Sequence, residues 1–391
     1  MRFQALDGWR GVCAIMIVLH HLNLNWHGYS APWVRNAYLF VDFFFVLSGF
    51  VISSAYADTL HRPSALKRFI VRRLGRIYPL HLFTLLALIA MELVKLAAFK
   101  AGAHMNQAAF SLSTSVDAML AHLFLLQSMH LFPYLSWNLP SWSIGAEFYT
   151  YLLFAVVVAL IRPLGKPLAA SVFIVLLLMS GTLLMVLSPH GQNATYDFGF
   201  LRCIVSFLCG AVCYGVYRKH ASVMLRWHNA AEYAALALVL IFIWFAGEGP
   251  GSFAAPLVFA IAVLVFSLQQ GGLSAIMMAP WSQSLGQWSY SIYMVHFFVT
   301  GILLNRSIHF IENNLHLPLS VGSAGSVKGL IVFQNPWQAD GLALLCVLAS
   351  IYLASQTYRR IEQPWRHYFN RLSERGEAQR SRRSERATVP E

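Results

Sequence analysis

The stretch SVFIVLLLMSGTLLMVL, residues 171–187, decides the fold class of this 391-residue chain. It carries no charged residue. It also lacks the alternation of polar and apolar positions that a membrane-spanning β-strand requires. About 20 apolar residues in a helix cross a hydrocarbon core of roughly 30 Å, and a helix leaves no backbone group unsatisfied in lipid. Residues 171–187 are therefore predicted to lie in a transmembrane helix.

Similar apolar runs recur along the whole chain. The sequence is 58% hydrophobic and 11% charged, whereas soluble domains contain about 25% charged residues. These values predict an all-α fold, a polytopic transmembrane helical bundle of about ten spans. The predicted spans cover residues 8–26, 38–56, 79–98, 146–162, 168–187, 199–217, 229–247, 253–270, 285–304 and 338–358. A further apolar segment, 118–132, is predicted to be short or re-entrant and not to cross.

Basic residues predict the orientation of this bundle. The formal net charge is +12, and most basic residues lie in a few loops and the tail. This distribution follows the positive-inside rule and argues against a nucleic-acid partner. The cytoplasmic loops are predicted to contain Arg62, Lys67, Arg68, Arg72, Arg73, Arg76, Arg162, Lys166, Arg218, Lys219 and Arg226. Both termini are then cytoplasmic, with a membrane domain over 1–370 and a disordered basic tail over 371–391.

The cysteine spacing and the absence of several known motifs exclude some classes of site. All five cysteines lie in apolar segments, where cysteine behaves as a small hydrophobic residue. The sequence has no zinc-ligand spacing and no disulfide framework. It also lacks the nucleophile elbow, the metalloprotease motif and the P-loop. We predict no metal site and no tightly bound cofactor.

Two ionisable residues share one face of the first span. Arg10 and His21 are eleven positions apart, which in a helix is three turns plus about 20° and an axial distance of about 16 Å. A guanidinium at the inner surface suits a phosphate group, and an imidazole at mid-membrane depth suits proton transfer. The spacing alone leaves an alternative open, in which Arg10 extends its side chain to the membrane surface and His21 only makes a structural hydrogen bond to a neighbouring helix.

A row of arginines precedes the third span. Arg68, Arg72 and Arg76 repeat every four positions and so lie on one helical face, with Arg73 beside them. Such a row can bind a polyanion through paired hydrogen bonds. Basic residues before a span also serve as topology signals or as contacts to lipid headgroups, and this alternative stays open.

Other polar residues lie in or beside the predicted spans. Glu147 follows a cluster with Trp142 and Ser143, and its helix-start position also suits the helix dipole. An ionisable residue inside a span is costly and is a functional candidate by default. The remaining candidates for a substrate-binding or structural role are Asp42, Ser48, Tyr290 and His296. Glu362 is a further polar residue that is unusual beside a membrane span.

Six motifs, in order, resemble the acyltransferase-3 family of membrane O-acyltransferases over roughly residues 5–370. They are LDGWRG at 6–11 with His21, VDFFFVLSGF at 41–50, Arg72 and Arg76 followed by Ile-Tyr-Pro, WSI at 142–144 with Glu147, SYSIY at 289–293 with His296, and Glu362 with Pro364. Arg68 with Arg72 satisfies the arginine pattern equally well. The short tail resembles the stand-alone type without a fused esterase-like domain.

This resemblance implies transfer of an acyl group, usually acetyl, from cytoplasmic acyl-CoA to a hydroxyl of a carbohydrate or another small acceptor. It implies acyl-CoA as a co-substrate and residence in the lipid bilayer, here a bacterial cytoplasmic (inner) membrane. Arg10, Arg72 and Arg76, with Arg68 and Arg73, are expected to bind the CoA phosphates. His21 is expected to act as general base, and Glu147 to orient it or bind the acceptor. A transporter or flippase, whose buried ionisable residues form a path, and a non-catalytic scaffold are the alternatives.

Overall fold

The computed structural model of the chain is built almost entirely of helices. It describes residues 2–60, 62–102, 107–161, 165–224, 228–305, 307–308, 311–312, 320–321, 330–333 and 335–374. The helices are α1 (Gln4–His20), α2 (Pro32–Arg35), α3 (Phe40–Tyr56), α4 (Pro63–Lys100), α5 (Val116–Leu123), α6 (Trp142–Ile161), α7 (Gly165–Leu187), α8 (Gly199–Met224), α9 (His228–Ala246), α10 (Ala255–Phe266), α11 (Gly272–Met277), α12 (Pro280–Phe297) and α13 (Pro336–Thr357). π-helical turns at Phe298–Leu304 and Tyr358–Glu362 follow α12 and α13. Strands β1 (Ser320–Val321) and β2 (Leu330–Ile331) pair antiparallel.

Seven of the described helical stretches are long and apolar enough to cross a membrane. They are Pro32–Tyr56, Pro63–Lys100, Leu139–Ile161, Ala170–Leu187, Gly199–Ala221, Asn229–Ala246 and Pro336–Glu374, with a shorter apolar helix at Pro250–Phe266. The predicted fold class, a transmembrane helical bundle, is therefore confirmed. The predicted spans 8–26 and 285–304 fall on α1 and α12, which lie outside this set. Ten crossings therefore stay a prediction.

The apolar segment 118–132 forms only a short helical element. Helix α5 contains eight residues and so rises about 12 Å. Its first turn is capped by Ser115, whose hydroxyl accepts a hydrogen bond from the backbone N–H of Ala118. After Leu123 the described chain continues without another long helix until α6. The prediction of a short element at this position is confirmed.

The first helix ends earlier than its hydrophobicity predicts. The predicted span extends to residue 26, but α1 ends at His20. The next residues leave the helix because their backbone pairs with β2 instead: Asn25 N–H donates to the Ile331 carbonyl, and Ile331 N–H donates to the Asn23 carbonyl, each at 3.0 Å. His21 consequently lies at the end of α1 rather than in the middle of a long span.

Some sequence-based predictions fall on parts of the chain that are not described. Arg162 and Arg226 lie outside the described residues, as do 375–391 of the predicted disordered tail. The predicted membrane domain ends at residue 370, whereas the last helix continues to Glu374. The side chain of Arg72 holds this end in place, as shown below.

Helices α3 and α8 cross in direct backbone contact. A β-carbon placed on Gly49 would lie 1.9 Å from the Phe207 carbonyl oxygen, and one on Gly210 would lie 1.9 Å from the Val46 carbonyl oxygen. Small residues at such crossings allow close packing of transmembrane helices. The two glycines therefore fix the position of α3, which carries residues of the site described next.

Replacement of Gly210 by alanine should destabilise the protein by about 1–3 kcal/mol, because the added methyl group overpacks this crossing. The measurement is the unfolding midpoint of purified protein in detergent. The matched control is Gly215→Ala in the same helix, where an added β-carbon meets nothing within 4 Å. We expect the control to be neutral or slightly stabilising, since alanine favours helix over glycine. Equal midpoints for the two variants would contradict the proposed crossing.

Candidate functional site

Helices α1, α3, α4, α6 and α12 surround a cavity of about 230 Å³. Its charged lining residues are Arg2, Asp7, Arg10, Arg73, Arg76 and Glu147, and its polar lining residues include Ser48, Ser143, Tyr151, Ser289, Tyr290 and Tyr293. The cavity thus brings together seven of the predicted site residues: Arg10, Arg73, Arg76, Glu147, Ser48, Ser143 and Tyr290. The other predicted site residues lie outside its lining.

The lining carries more positive than negative charge. Four guanidinium groups face two carboxylates, an excess of two positive charges. Arg10 interacts with Asp7 at 3.3 Å and lies within electrostatic range of Arg76 and Glu362. Glu362 is buried behind the lining, where the Ser291 hydroxyl donates to it at 2.8 Å. The excess remains positive even when Glu362 is counted, so the cavity suits an anionic ligand.

Arg73 is held in the lining by aromatic rings rather than by carboxylates. Its guanidinium carbon lies 5.8 Å from the ring centre of Tyr56, 6.0 Å from that of Phe69 and 5.9 Å from that of Tyr151. Cation–π contacts of this kind orient a cation without neutralising it. Its buried Nε has no hydrogen-bond partner among the described residues. Arg73 is therefore oriented and still able to donate to a ligand.

Arg72 points away from the cavity toward the end of the last helix. Its Nε donates to the Ser373 hydroxyl at 3.1 Å, and its terminal nitrogen donates to Glu374 at 2.8 Å. Arg68 does not line the cavity either. The face of α4 that meets the cavity carries Arg73 and Arg76, three positions apart, whereas Arg68 and Arg72 of the predicted arginine row do not line it.

Glu147 belongs to a chain of hydrogen bonds at the cavity wall. The Tyr151 hydroxyl donates to the Glu147 carboxylate at 2.5 Å. A tyrosine hydroxyl has one proton, so the Ser48 hydroxyl must be the donor in its 2.7 Å contact with Tyr151. Glu147 therefore lies beside the arginines, and the structure does not bring its carboxylate to His21.

Asp42 forms a buried ion pair with Arg202. The closest oxygen–nitrogen distance is 2.6 Å, and the two side chains are 0% and 1% exposed. Ser206 and Gln192 each donate a further hydrogen bond to Asp42 at 2.8 Å. The Trp142 ring lies 5.3 Å from the guanidinium carbon of Arg202. The polar contacts of Asp42 and the π contact of Trp142 are thus made within the protein.

Tyr293 lies in the cavity wall and is held there by two hydrogen bonds. Its hydroxyl donates to the Pro140 carbonyl at 2.9 Å and accepts from Ser143 at 2.9 Å. The neighbouring Tyr290 hydroxyl donates to the Ile77 carbonyl at 2.5 Å. These bonds hold the helix α12 side chains of the predicted serine–tyrosine motif against α4 and the start of α6.

His21 is not among the residues that line the cavity, and its ring lies beside that of His296. The two imidazole ring centres are 4.9 Å apart, and the ring centre of Tyr293 is 6.0 Å from that of His296. His296 follows Tyr293 by three positions, about 4.5 Å along the helix. Tyr293, which lines the cavity, thus lies next to the histidine pair.

Several residues in and around this site were not identified from the sequence as site candidates, among them Tyr151, Arg2 and Arg202. Tyr151 and Arg2 carried no signal beyond their composition. Arg202 did carry one, since it is a charged residue in the predicted span 199–217, and the rule applied to Arg10 also applies to it. Among the described residues, no group of three or more His, Cys, Asp or Glu side chains could hold a metal ion.

Comparisons with known proteins identify the class of this membrane bundle. A family model described as an acyltransferase domain (acyltransferase-3) matches residues 3–365. The chain is 28% identical over 397 residues to "O-acetyltransferase OatA" of Staphylococcus aureus (strain NCTC 8325 / PS 47), covering 92% of this chain and 57% of that protein. It is 24% identical over 351 residues to "Putative peptidoglycan O-acetyltransferase YrhL" of Bacillus subtilis (strain 168), covering 81% of this chain and 51% of that protein. No solved structure matches the chain significantly.

The fold and the comparisons together define an integral membrane protein of the acyltransferase class. More particularly, the chain belongs to the acyltransferase-3 family, because the family model covers nearly its whole length. The resemblance inferred from the six motifs is confirmed. The chain spans a little over half the length of these two curated relatives.

Replacement of Arg202 by methionine should destabilise the bundle by about 3–5 kcal/mol, because Asp42 is then a buried carboxylate without its counter-ion. The measurement is thermal unfolding in detergent. The double variant Arg202→Met with Asp42→Leu removes both charges and should recover much of the loss. A double variant no more stable than the single one would show that the ion pair does not determine the effect.

Proposed function

We propose that this chain is a membrane O-acyltransferase that moves an acyl group, most simply acetyl, from cytoplasmic acyl-CoA to a hydroxyl of a carbohydrate acceptor. Family membership and relatives named as O-acetyltransferases support the reaction class. The observation that carries the choice of donor is the positively charged cavity inside the bundle. Its arginines suit the phosphates of coenzyme A, since guanidinium groups match phosphate geometry.

In the proposed arrangement, Arg10, Arg73 and Arg76 bind the phosphate end of the donor. The cavity volume of about 230 Å³ is below the range of roughly 300–1,000 Å³ that holds a whole drug-sized ligand. The cavity therefore accommodates one part of a long donor, and the rest extends outside it. Glu147, fixed by Tyr151 beside the arginines, is proposed to position the donor.

His21 is the proposed general base. Its Nδ1 donates to the Ile17 carbonyl at 2.8 Å, so in the neutral ring the lone pair is on Nε2. That nitrogen would take the proton of the acceptor hydroxyl as its oxygen attacks the thioester carbon. The acyl end of the donor would approach it from the part of the cavity that Tyr293 lines, since the Tyr293 ring lies next to that of His296.

The proposed orientation follows from charge. The arginine-containing end of α4 and both termini are placed in the cytoplasm by the positive-inside rule, within a bacterial cytoplasmic membrane. Acyl-CoA would then enter the cavity from the cytoplasmic side. The direct test of the proposal is whether purified protein consumes acetyl-CoA and releases free thiol when acceptor is supplied. A transporter or flippase would leave acetyl-CoA unchanged in this assay.

Replacement of Arg73 by alanine should raise the KM for acetyl-CoA about 10- to 100-fold, which corresponds to the loss of a hydrogen bond to a charged group. Arg72→Ala should have a smaller effect, because the Arg72 guanidinium is engaged by Ser373 and Glu374. The measurement is the steady-state release of thiol over a range of acetyl-CoA concentrations.

The control for Arg73 is Arg218→Ala, which removes an exposed arginine paired with Asp58 outside the cavity. It should leave the KM within about twofold, since exposed ion pairs contribute little. If Arg72→Ala raised the KM more than Arg73→Ala, the proposed binding face of α4 would be wrong.

Replacement of His21 by alanine should lower the rate of transfer about 10²- to 10⁴-fold, as expected for loss of a general base. Insertion in the membrane should not change. The measurement is transfer of labelled acetyl from acetyl-CoA to acceptor, compared with the matched variant His220→Ala, whose side chain is exposed at the far end of α8. Full activity in the His21 variant would remove His21 from the mechanism.

A further inference from the structure

Opposite charges share the cavity without pairing with one another. Glu147 lines it together with Arg73 and Arg76, and it lies within electrostatic range of Arg76. Among the described residues, however, no basic side chain forms an ion pair or a hydrogen bond with Glu147, and no carboxylate forms one with Arg73 or Arg76. Arg10 does pair with Asp7, at 3.3 Å. Since buried charges are ordinarily paired, the residues around Glu147 must account for the difference.

Tyr151 contacts both kinds of charge. Its hydroxyl donates to Glu147 at 2.5 Å, and its ring centre lies 5.9 Å from the guanidinium carbon of Arg73. The residue is 3% exposed, and its ring meets those of Phe69 and Phe207 edge-on, each at a centre-to-centre distance of 6.0 Å. Tyr151 is therefore held in place by packing, with its hydroxyl on the carboxylate and its ring beside the cation.

The hydrogen bonds of Tyr151 also fix the direction of its proton. Because the Ser48 hydroxyl donates to the Tyr151 oxygen at 2.7 Å, the single proton of the Tyr151 hydroxyl is directed to Glu147. A hydrogen bond to an ionised acceptor is about twice as strong as one between neutral groups. This bond occupies Oε1 of Glu147. Oε2 has no partner among the described residues, so it can still accept a hydrogen bond from the donor molecule.

We propose that Tyr151 is a positioning residue that keeps Glu147 from pairing with Arg73 and Arg76, so that both guanidinium groups stay open to an anionic donor. The inference rests on the proposed function, because these are the arginines proposed to bind the donor phosphates. An ion pair within the cavity would compete with a phosphate for the same N–H groups. The Tyr151 hydroxyl satisfies the carboxylate with a neutral group and leaves those N–H groups without a carboxylate partner.

The alternative is that Tyr151 serves packing alone. Its ring would then be the important part, and the effect of removing its hydroxyl would not depend on the charge of residue 147. Tyr151→Phe separates the two possibilities. Phenylalanine keeps the ring beside Arg73 and between the neighbouring aromatic side chains, and it removes only the hydroxyl.

The test measures binding of coenzyme A to the full-length protein in detergent, by isothermal titration calorimetry and without acceptor. Tyr151→Phe should raise the Kd about tenfold, because the carboxylate that loses its hydrogen bond then pairs with an arginine that the phosphates require. The matched control is Tyr149→Phe in the same helix. Tyr149 does not line the cavity, and its hydroxyl donates to the Phe124 carbonyl at 2.9 Å. The Kd of this control should stay within about twofold, as is usual for substitutions away from a site.

The deciding variant combines Tyr151→Phe with Glu147→Gln and is compared with Glu147→Gln alone. Glutamine has the shape of glutamate but no charge, so it cannot form the competing ion pair. In this background Tyr151→Phe should change the Kd by less than about twofold, against about tenfold in the unaltered protein. Such a double-mutant cycle measures the coupling between two residues. A role in packing alone would give the same ratio in both backgrounds.

Two results would overturn the inference: an unchanged Kd in Tyr151→Phe, or an equal rise in both backgrounds. Inorganic diphosphate serves as a second probe, which separates the inference from the choice of donor. If the unaltered protein binds diphosphate but not coenzyme A, the proposed donor is wrong, and the same cycle measured with diphosphate decides the role of Tyr151. If it binds neither probe, the arginines form no open anion site, and the inference fails together with the proposed donor.

Discussion

A charge inside a lipid-embedded bundle must be compensated, because taking an ion out of water is expensive. Two described groups of charges meet this requirement in different ways. Around Asp42 and Arg202, the compensation is complete, and both side chains are sealed. Around Arg10, Arg73 and Arg76, positive charge exceeds negative charge, and the remaining space is a cavity. The first arrangement is typical of a structural ion pair, and the second is suited to a ligand that brings negative charge with it.

The structural ion pair also determines how the open cavity is built. Asp42 is on the first turn of α3, and Arg202 is on the first turn of α8, so their contact fixes the relative position of the two helices. The close crossing at Gly49 and Gly210 is a second contact that fixes α3 against α8, and it lies two turns after Asp42 along α3. Between these two contacts α3 presents Ser48 to the cavity, where it continues the hydrogen-bond chain to Glu147. The geometry of the site therefore depends on contacts outside it.

The sequence was sufficient to predict the helical membrane fold, and seven of the residues predicted for the site line the cavity. Hydrophobic length located most of the long apolar helices, because lipid enforces helices, but it did not decide how many of the ten predicted spans cross. Spacing could not decide which face of α4 points inward: Arg72 with Arg76 and Arg73 with Arg76 are both compatible with one helical face. That choice depends on tertiary contacts, namely the aromatic rings around Arg73 and the last helix beside Arg72. The early end of α1 at His20 likewise depends on pairing with a strand more than 300 residues away.

The separation of the arginine cavity from the histidine pair has a chemical consequence for the proposed reaction. A thioester in contact with water and a general base is liable to hydrolysis, and exclusion of water from the reacting groups prevents such side reactions. Tyr293 lines the cavity beside His296, and its hydroxyl is held by hydrogen bonds to Pro140 and Ser143. In the proposed reaction, the phosphate end of a long, flexible donor would stay on the arginines while its arm carried the thioester to His21. Because His21 does not line the cavity, the donor and the base would meet only when the arm is extended, and the thioester would be kept away from the base until then.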